Sequence, residues 1–390
     1  MKITFVLPTV SMAGGIRVVS IYANLLKERG HEVCVVSTPP AKPSMRNQLR
    51  SVLKGKGWIS NQPSPSYFDH LDVHHHILET YRPITDRDVP DADVVVATWW
   101  ETAEWVAALS DRKGAKAYFL QHHEAHDYLP GDRVNATWSL PMHKITIAQW
   151  LVDLARERFG DTDVSLVPNT VDPHQFYAEP RTKQPVPTVG VMHSVVPWKG
   201  CDVSYAAFER ARSVVPNLRL IAFGTQPPED NFPVGAEFTV NPSCGTLRSL
   251  YAQCDGWLFG SRSEGFGLPI LEAMACRTPV IGTRAGAAPD FIHHDSGVLV
   301  EIDDVEAMAD GIIRIAKMSE AEWQAMSNRA YQRATQNTWD DSVVLFEQAL
   351  QRAIYRFNEG TLGNAAQPVG TGYDPLPGQQ SRWSTPLGAR

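Results

Sequence analysis

Two glutamates, Glu264 and Glu272, stand eight positions apart in the string EGFGLPILE. Each can accept hydrogen bonds from hydroxyls, and the glycine-relaxed turn between them lets backbone amides and a ligand come close. Pro269 pre-sets a first helical turn, whose amino end carries unpaired N–H groups and the positive pole of the helix dipole. The apolar run in GWLFGS, just before, reads as a short buried strand. Strand end, loose turn and helix start within residues 260–275 form a phosphate-binding layout. A sugar, a diphosphate and a ribose need a carboxylate, amides and a second carboxylate in that order.

The longer string EGFGLPILEAMA, followed by RTPVIGT, resembles the signature of the retaining nucleotide-sugar glycosyltransferases of family four, which have the GT-B fold. The resemblance implies that Glu264 contacts the donor sugar, Glu272 the ribose, and the amides of Gly265, Phe266, Gly267 and Leu268 the diphosphate. In VGVMHSVVPWKGCD, Lys199 stands where the family has a diphosphate cation, and an ammonium in a shielded cleft would stabilise leaving-group charge. The family often has Arg six residues before that Lys; this chain has His193, as fit for ending a strand as for touching phosphate. Arg262 and Arg284 are candidates for the missing charge or are solvated side chains. Gly14 and Gly15 resemble the family's glycine loop over the donor, and Val240 marks the strand whose backbone holds the base. A histidine of the loop QHHEAHDY would approach the reacting centre, His122 by best register and His123 second, with a structural hydrogen-bonding role as the alternative. PNTVD at 168–172 resembles the family's PNGVD, with Thr170 in place of Gly.

The resemblance implies no metal and no cofactor beyond the donor. The loop at 121–128 lacks the H-E-x-x-H spacing of a zinc protease, and Gly14–Gly15 lack the G-x-G-x-x-G of a dinucleotide site. The run His74 to His76 has no Cys or acidic pair at ligand spacing and reads as solvated or packed. Five cysteines without a C-x-x-C pair fit reduced thiols in a cytoplasmic setting. A net charge of −7 gives no overall attraction to nucleic acid. No apolar run is long enough to cross a membrane, so any membrane contact is expected to be peripheral, on the cytoplasmic face. Residues 33–68 hold no acid but carry Lys42, Arg46, Arg50, Lys54 and Lys56. A helix over 45–54 would put Met45, Leu49, Val52 and Leu53 on one face beside those cations, a candidate surface for anionic lipid or a lipid-linked acceptor; a solvated loop is the alternative.

The positioning elements follow from hydrophobic periodicity. At 390 residues the chain exceeds a usual single core. Strands are expected at 3–7, 33–36, 94–98, 117–120, 145–148 and 165–167, with helices from Ile16 and over 151–159. Prolines at 173, 180, 185 and 187 mark a linker. A second series of strands follows at 188–192, 218–223, 237–240, 256–259, 280–282 and 298–300, then helices at 305–316, 320–334 and 340–357. This alternation predicts an α/β protein of two Rossmann-like doubly wound domains, 1–172 and 188–338, facing a central cleft. Loops at 9–15, 99–102, 121–128 and 168–172 should open onto it. The resemblance implies that the last helix, 339–357, crosses back to the first domain; the Gly- and Pro-rich tail 358–390 is expected to be disordered. The resemblance implies a hexosyltransferase and, by family analogy alone, an acceptor in cell-surface glycan synthesis; another GT-B nucleotide-sugar enzyme such as an epimerase, or a non-catalytic nucleotide-sugar-binding protein, are the rivals.

Overall fold

The computed structural model describes residues 1–40, 45–55, 57–58, 65–124, 129–228 and 232–362. The first half forms a seven-stranded parallel sheet in the order β3-β2-β1-β4-β5-β6-β7. Its strands are β1 (Lys2–Thr9), β2 (Glu32–Thr38), β3 (His74–Ile77), β4 (Val94–Ala97), β5 (Ala115–Leu120), β6 (His143–Thr146) and β7 (Ser165–Leu166). Parallel neighbours need crossovers, supplied by α1 (Gly14–Glu28), α2 (Met45–Leu53), α3 (Trp100–Ala107), α4 (Gly131–Thr137) and α5 (Gln149–Phe159). Helices on both faces explain why β1 and β4 are apolar at nearly every position and buried throughout their centres. The His74 to His76 run is the edge strand β3, paired in register with β2. Of residues 99–102, expected as a loop, 100–102 instead begin α3, with Trp99 as its N-cap. The Thr102 hydroxyl accepts from the amides of Thr98 and Trp99 at 2.9 Å each and so starts the helix there.

The second sheet has six parallel strands, β8 (Thr188–Met192), β9 (Arg219–Gly224), β10 (Glu237–Val240), β11 (Gly256–Phe259), β12 (Val280–Thr283) and β13 (Gly297–Val300), ordered β10-β9-β8-β11-β12-β13. Its helices are α6 (Cys201–Val214), α7 (Cys244–Ala252), α8 (Leu268–Ala275), α9 (Ala288–Phe291), α10 (Val305–Lys317) and α11 (Glu320–Ala334). Trp257 of β11 is fully buried and stacks on Phe223 with ring centroids 5.6 Å apart.

The last helix, α12 (Trp339–Asn358), returns to the first domain and packs on β5, β6 and α1. Thr338 and Asp341 form a capping box at its start. Phe346 stacks on Tyr22 of α1 at 4.4 Å and meets Phe119 of β5 edge-on at 5.0 Å. Buried apolar residues of the first sheet are continuous with those of α8, α9 and α12. No described helix is long and apolar enough to cross a membrane. Residues 363–390 of the expected tail lie outside the described residues.

Candidate active site

Each sheet reverses its strand order beside its first strand, between β1 and β4 and between β8 and β11. Loops leaving strands at such switch points form a ligand crevice. Here the crevice wall of the second domain is the turn 260–267 between β11 and α8. Gly267 enters α8 with φ of 95°, a left-handed backbone that favours glycine, and no side chain caps the helix. Pro269 has no N–H and the Ile270 amide donates back to the Gly267 carbonyl at 2.9 Å, so it is the Leu268 amide, together with those of the preceding turn, that this helix start can offer an anion. Gly265 has a different reason to be glycine: a Cβ there would stand 1.9 Å from the Gln121 carbonyl oxygen of the first domain. Trp150 of α5 donates through Nε1 to the Gly265 carbonyl at 2.9 Å, so the turn is held from across the cleft.

The two carboxylates flank this turn, and each is met by a cation. Lys199, the last residue of a 3₁₀ turn after β8, places Nζ 2.8 and 2.9 Å from the two oxygens of Glu264. The Ser261 hydroxyl donates to the same carboxylate at 2.8 Å. Glu272, one turn into α8, accepts from the Tyr251 hydroxyl at 2.9 Å and from Arg17 Nη1 at 3.2 Å. Burial pushes the Glu272 carboxyl above its ordinary range, and the Arg17 charge with the Tyr251 hydroxyl opposes that push. Carboxylates able to take sugar hydroxyls thus bracket cations and amides able to take phosphate.

Of the two candidate histidines, His122 faces the second domain. Its Nε2 lies 3.1 Å from Ser263 Oγ, and its Nδ1 accepts from the Glu124 amide at 2.8 Å. With Nδ1 accepting, the neutral ring carries its hydrogen on Nε2, toward the cleft. His123 packs instead among Trp138 and Phe159 and bonds Asn135 at 3.0 Å. Glu124 has φ of 61° and is buried, its carboxylate accepting from the Trp100 amide at 3.0 Å; burial pushes its pKa well up. Residues 125–128 of this loop lie outside the described residues.

His193 directly follows β8 with Nδ1 2.6 Å from the Tyr205 hydroxyl, its ring surrounded by Tyr205, Phe232 and Phe238. Arg262 forks onto Asp202 at 2.9 and 2.7 Å and reaches Asp303 at 2.6 Å, while Arg284 pairs with Glu301 at 2.7 Å. Neither arginine joins the two cleft carboxylates. Gly14 and Gly15 open α1, and the Gly15 carbonyl accepts from Gln121 Nε2 at 3.1 Å. Val240 ends the edge strand β10, exposed. Thr170 sits buried with an ordinary backbone, so this position needs no glycine.

Arg17, Gln175 and Tyr251 were not anticipated. Arg17 Nη2 donates to Gln175 Oε1 at 2.7 Å, so the chain linking Gln175, Arg17, Glu272 and Tyr251 joins both domains. An arginine two residues past a glycine pair that opens a helix was the available signal. On α2, Met45, Leu49, Val52 and Leu53 are all exposed beside Arg46 and Arg50, with Lys54 just past the helix end, and the polar Gln48 is buried. Lys42 and Lys56 lie outside the described residues.

Two facing Rossmann-like sheets with a returning terminal helix make this a GT-B fold. Residues 185–318, which make up most of the second domain, match the family model described as Glycosyl transferases group 1. Among solved structures, the chain is similar to sucrose-phosphate synthase from Thermosynechococcus elongatus (TM-score 0.67, 17% identity, 92% of this chain and 100% of that one). It is also similar to Anabaena Alr3699/HepE in complex with UDP-glucose (TM-score 0.66, 16% identity, 90% and 99%). At such identities the likeness concerns fold alone. Among curated sequences it is 45% identical over 75 residues to N-acetyl-alpha-D-glucosaminyl L-malate synthase of Bacillus anthracis, covering 19% of this chain and 20% of that protein. It is 36% identical over 94 residues to D-inositol 3-phosphate glycosyltransferase of Saccharomonospora viridis, covering 24% and 22%. The matched stretches thus span about a fifth of these relatives.

Proposed function

We propose that this protein transfers a hexosyl group from a nucleotide diphosphate sugar to an acceptor hydroxyl, with retention of anomeric configuration, in cell-surface glycan synthesis. The observation that carries the reading is the order of groups along the cleft: Lys199 with Glu264, the amides of 265–268, then Glu272. In this reading Glu264 takes sugar hydroxyls, Glu272 takes ribose hydroxyls, and Lys199 with the amides holds the diphosphate. The bond from the anomeric carbon to the diphosphate oxygen breaks, and the acceptor oxygen bonds that carbon on the same face. The departing diphosphate takes the acceptor's proton, so the protein supplies positioning and charge rather than a base. In this reading His122 Nε2–H, which meets Ser263 Oγ at 3.1 Å, donates to a hydroxyl of the transferred sugar when the donor is bound.

We further propose that α2 meets an anionic membrane surface carrying the acceptor, since its apolar side chains point outward beside Arg46, Arg50 and Lys54. Similarity to structures holding UDP and UDP-glucose supports a nucleotide-sugar donor. The reaction is tested by incubating the protein with a panel of nucleotide diphosphate sugars and lipid-linked or free glycans. Acceptor-dependent release of nucleoside diphosphate with an α product from an α donor is expected. Inversion at the anomeric carbon, sugar epimerisation without transfer, or donor binding with no turnover on any acceptor would each displace the reading. Activity is expected to persist in EDTA, because Lys199 and the amides take the place of a divalent ion; rescue by Mg²⁺ or Mn²⁺ after its loss would refute that.

A further inference from the structure

A diphosphate diester carries a negative charge on each phosphate, while the second domain offers the cleft Lys199 alone among its described cations near the turn. Arg262 is committed to Asp202 and Asp303, Arg284 to Glu301, and His193 to Tyr205. The first domain supplies another cation. Arg17 lies one turn past Gly14 on α1, and its guanidinium crosses the cleft to Glu272. We propose that Arg17 is the second cation of the donor diphosphate, delivered from the opposite domain. This rests on the reading of Glu272 as the ribose partner.

The cleft holds an ion pair at each end, Lys199 with Glu264 and Arg17 with Glu272. A donor laid along it presents hydroxyls at both ends and phosphates between them. Ribose and sugar hydroxyls take the two carboxylates, and the phosphates take the two cations, so each displaced charge finds a partner. The Arg17 side chain is 25% exposed against 9% for Glu272, so solvent-borne phosphate reaches the guanidinium before the carboxylate. Gln175 holds Nη2 at 2.7 Å, which keeps the guanidinium plane fixed while Nη1 changes partner. A planar fork suits phosphate oxygens, and a fixed one loses little entropy on engaging them. Because Lys199 and Arg17 sit on different domains, the diphosphate also ties the two domains together.

The test compares binding of free nucleosides and their diphosphates, over the common bases, by calorimetry and ligand-observed NMR. Parent, Arg17→Gln, Arg17→Lys and Lys199→Gln proteins are compared. Arg17→Gln should weaken the preferred nucleoside diphosphate by about tenfold or more while the nucleoside changes by less than about threefold. Arg17→Lys should restore part of the loss and preserves the charge should the Gln variant fold poorly. Equal weakening of nucleoside and diphosphate would make Arg17 a support for Glu272 only and overturn the proposal, as would unchanged binding of both. A parent that binds no nucleoside diphosphate overturns the donor reading together with this inference. Parent binding with an insensitive Arg17→Gln overturns the inference alone.

Discussion

Lys199 and Glu264 hold each other at 2.8 Å in a partly shielded cleft, so removing either leaves the other's charge uncompensated. Lys199→Ala should raise the transfer barrier by about 3 kcal/mol, the scale of one lost electrostatic contact to a developing charge. Single-turnover rates should show the double variant Lys199→Ala with Glu264→Ala losing less than the sum of the single losses, because contacting residues couple. Additive losses would mean the pair does not act as a unit. A contrast separates the carboxylates: Glu272→Ala should weaken donor and free nucleoside diphosphate alike, whereas Glu264→Ala should spare the nucleotide and depress turnover. Calorimetry showing Glu272→Ala with unchanged nucleotide affinity would remove its ribose role. Glu264 and Glu272 were legible in the sequence because one short string carries the turn, both carboxylates and the helix start. Arg17 was not, because it meets Glu272 across 255 positions and only the folded cleft joins them. Gly265 was legible as necessary but for another reason, since the close approach of Gln121 is a tertiary fact.

Elements were readable where burial imposes a simple pattern. Strands β8 and β11 have the expected limits because runs flanked by turn residues and buried along nearly their whole length leave little ambiguity. Helix α2 shows where such reading stops: periodicity gives the helix and its apolar face but not which way that face points. It points outward, with Leu53 86% and Met45 66% exposed, and Trp58 shortly after the helix is exposed as well. An apolar face next to cations and turned to solvent matches an interfacial helix rather than a core one. Replacing Arg46, Arg50 and Lys54 with Gln should therefore reduce sedimentation with anionic vesicles at low salt, each cation contributing about 1 kcal/mol. Raising the salt should erase the parent's advantage, since these contacts are screened beyond about 10 Å. Donor affinity should stay unchanged, because the proposed donor contacts lie mainly in the second domain whereas α2 belongs to the first. Equal sedimentation of parent and triple variant would make α2 a solvated helix only.

At the scale of the molecule, α12 joins the end of the chain to the first sheet, and its grip contains a titratable group that burial keeps neutral. Family resemblance, rather than the helix pattern itself, pointed to this crossing, because amphipathicity does not name the surface a helix will cover. Arg356 is buried and donates to His143 Nδ1 at 3.2 Å and to the Asp163 carbonyl at 3.1 Å. Since arginine only donates, Nδ1 accepts, and Nε2–H donates to Ser165 Oγ at 2.8 Å. Burial first, and the Arg356 charge second, hold the His143 pKa well below its ordinary 6.5, against the opposing pull of Asp163 and Asp161. The unfolded chain therefore takes up a proton below that value while the folded one does not. More protons bound by the unfolded state mean that stability rises with pH, so this contribution is complete above about 6.5 and falls as the pH drops beneath it. Glu124 and Glu272, whose pKa values are raised by burial, act with the opposite sign, and His75, lowered by burial, acts with the same one. The informative quantity is thus the difference between variants that share those groups. His143→Gln, which keeps a polar side chain near Arg356 and Ser165 but cannot titrate, should lose less Tm than the parent between about pH 7 and about pH 5. Its Tm at neutral pH should be lower, because the substituted amide fits the two partners less well. If both proteins lose the same Tm over that interval, His143 becomes protonated without releasing α12, and the acid sensitivity of the domain junction lies elsewhere.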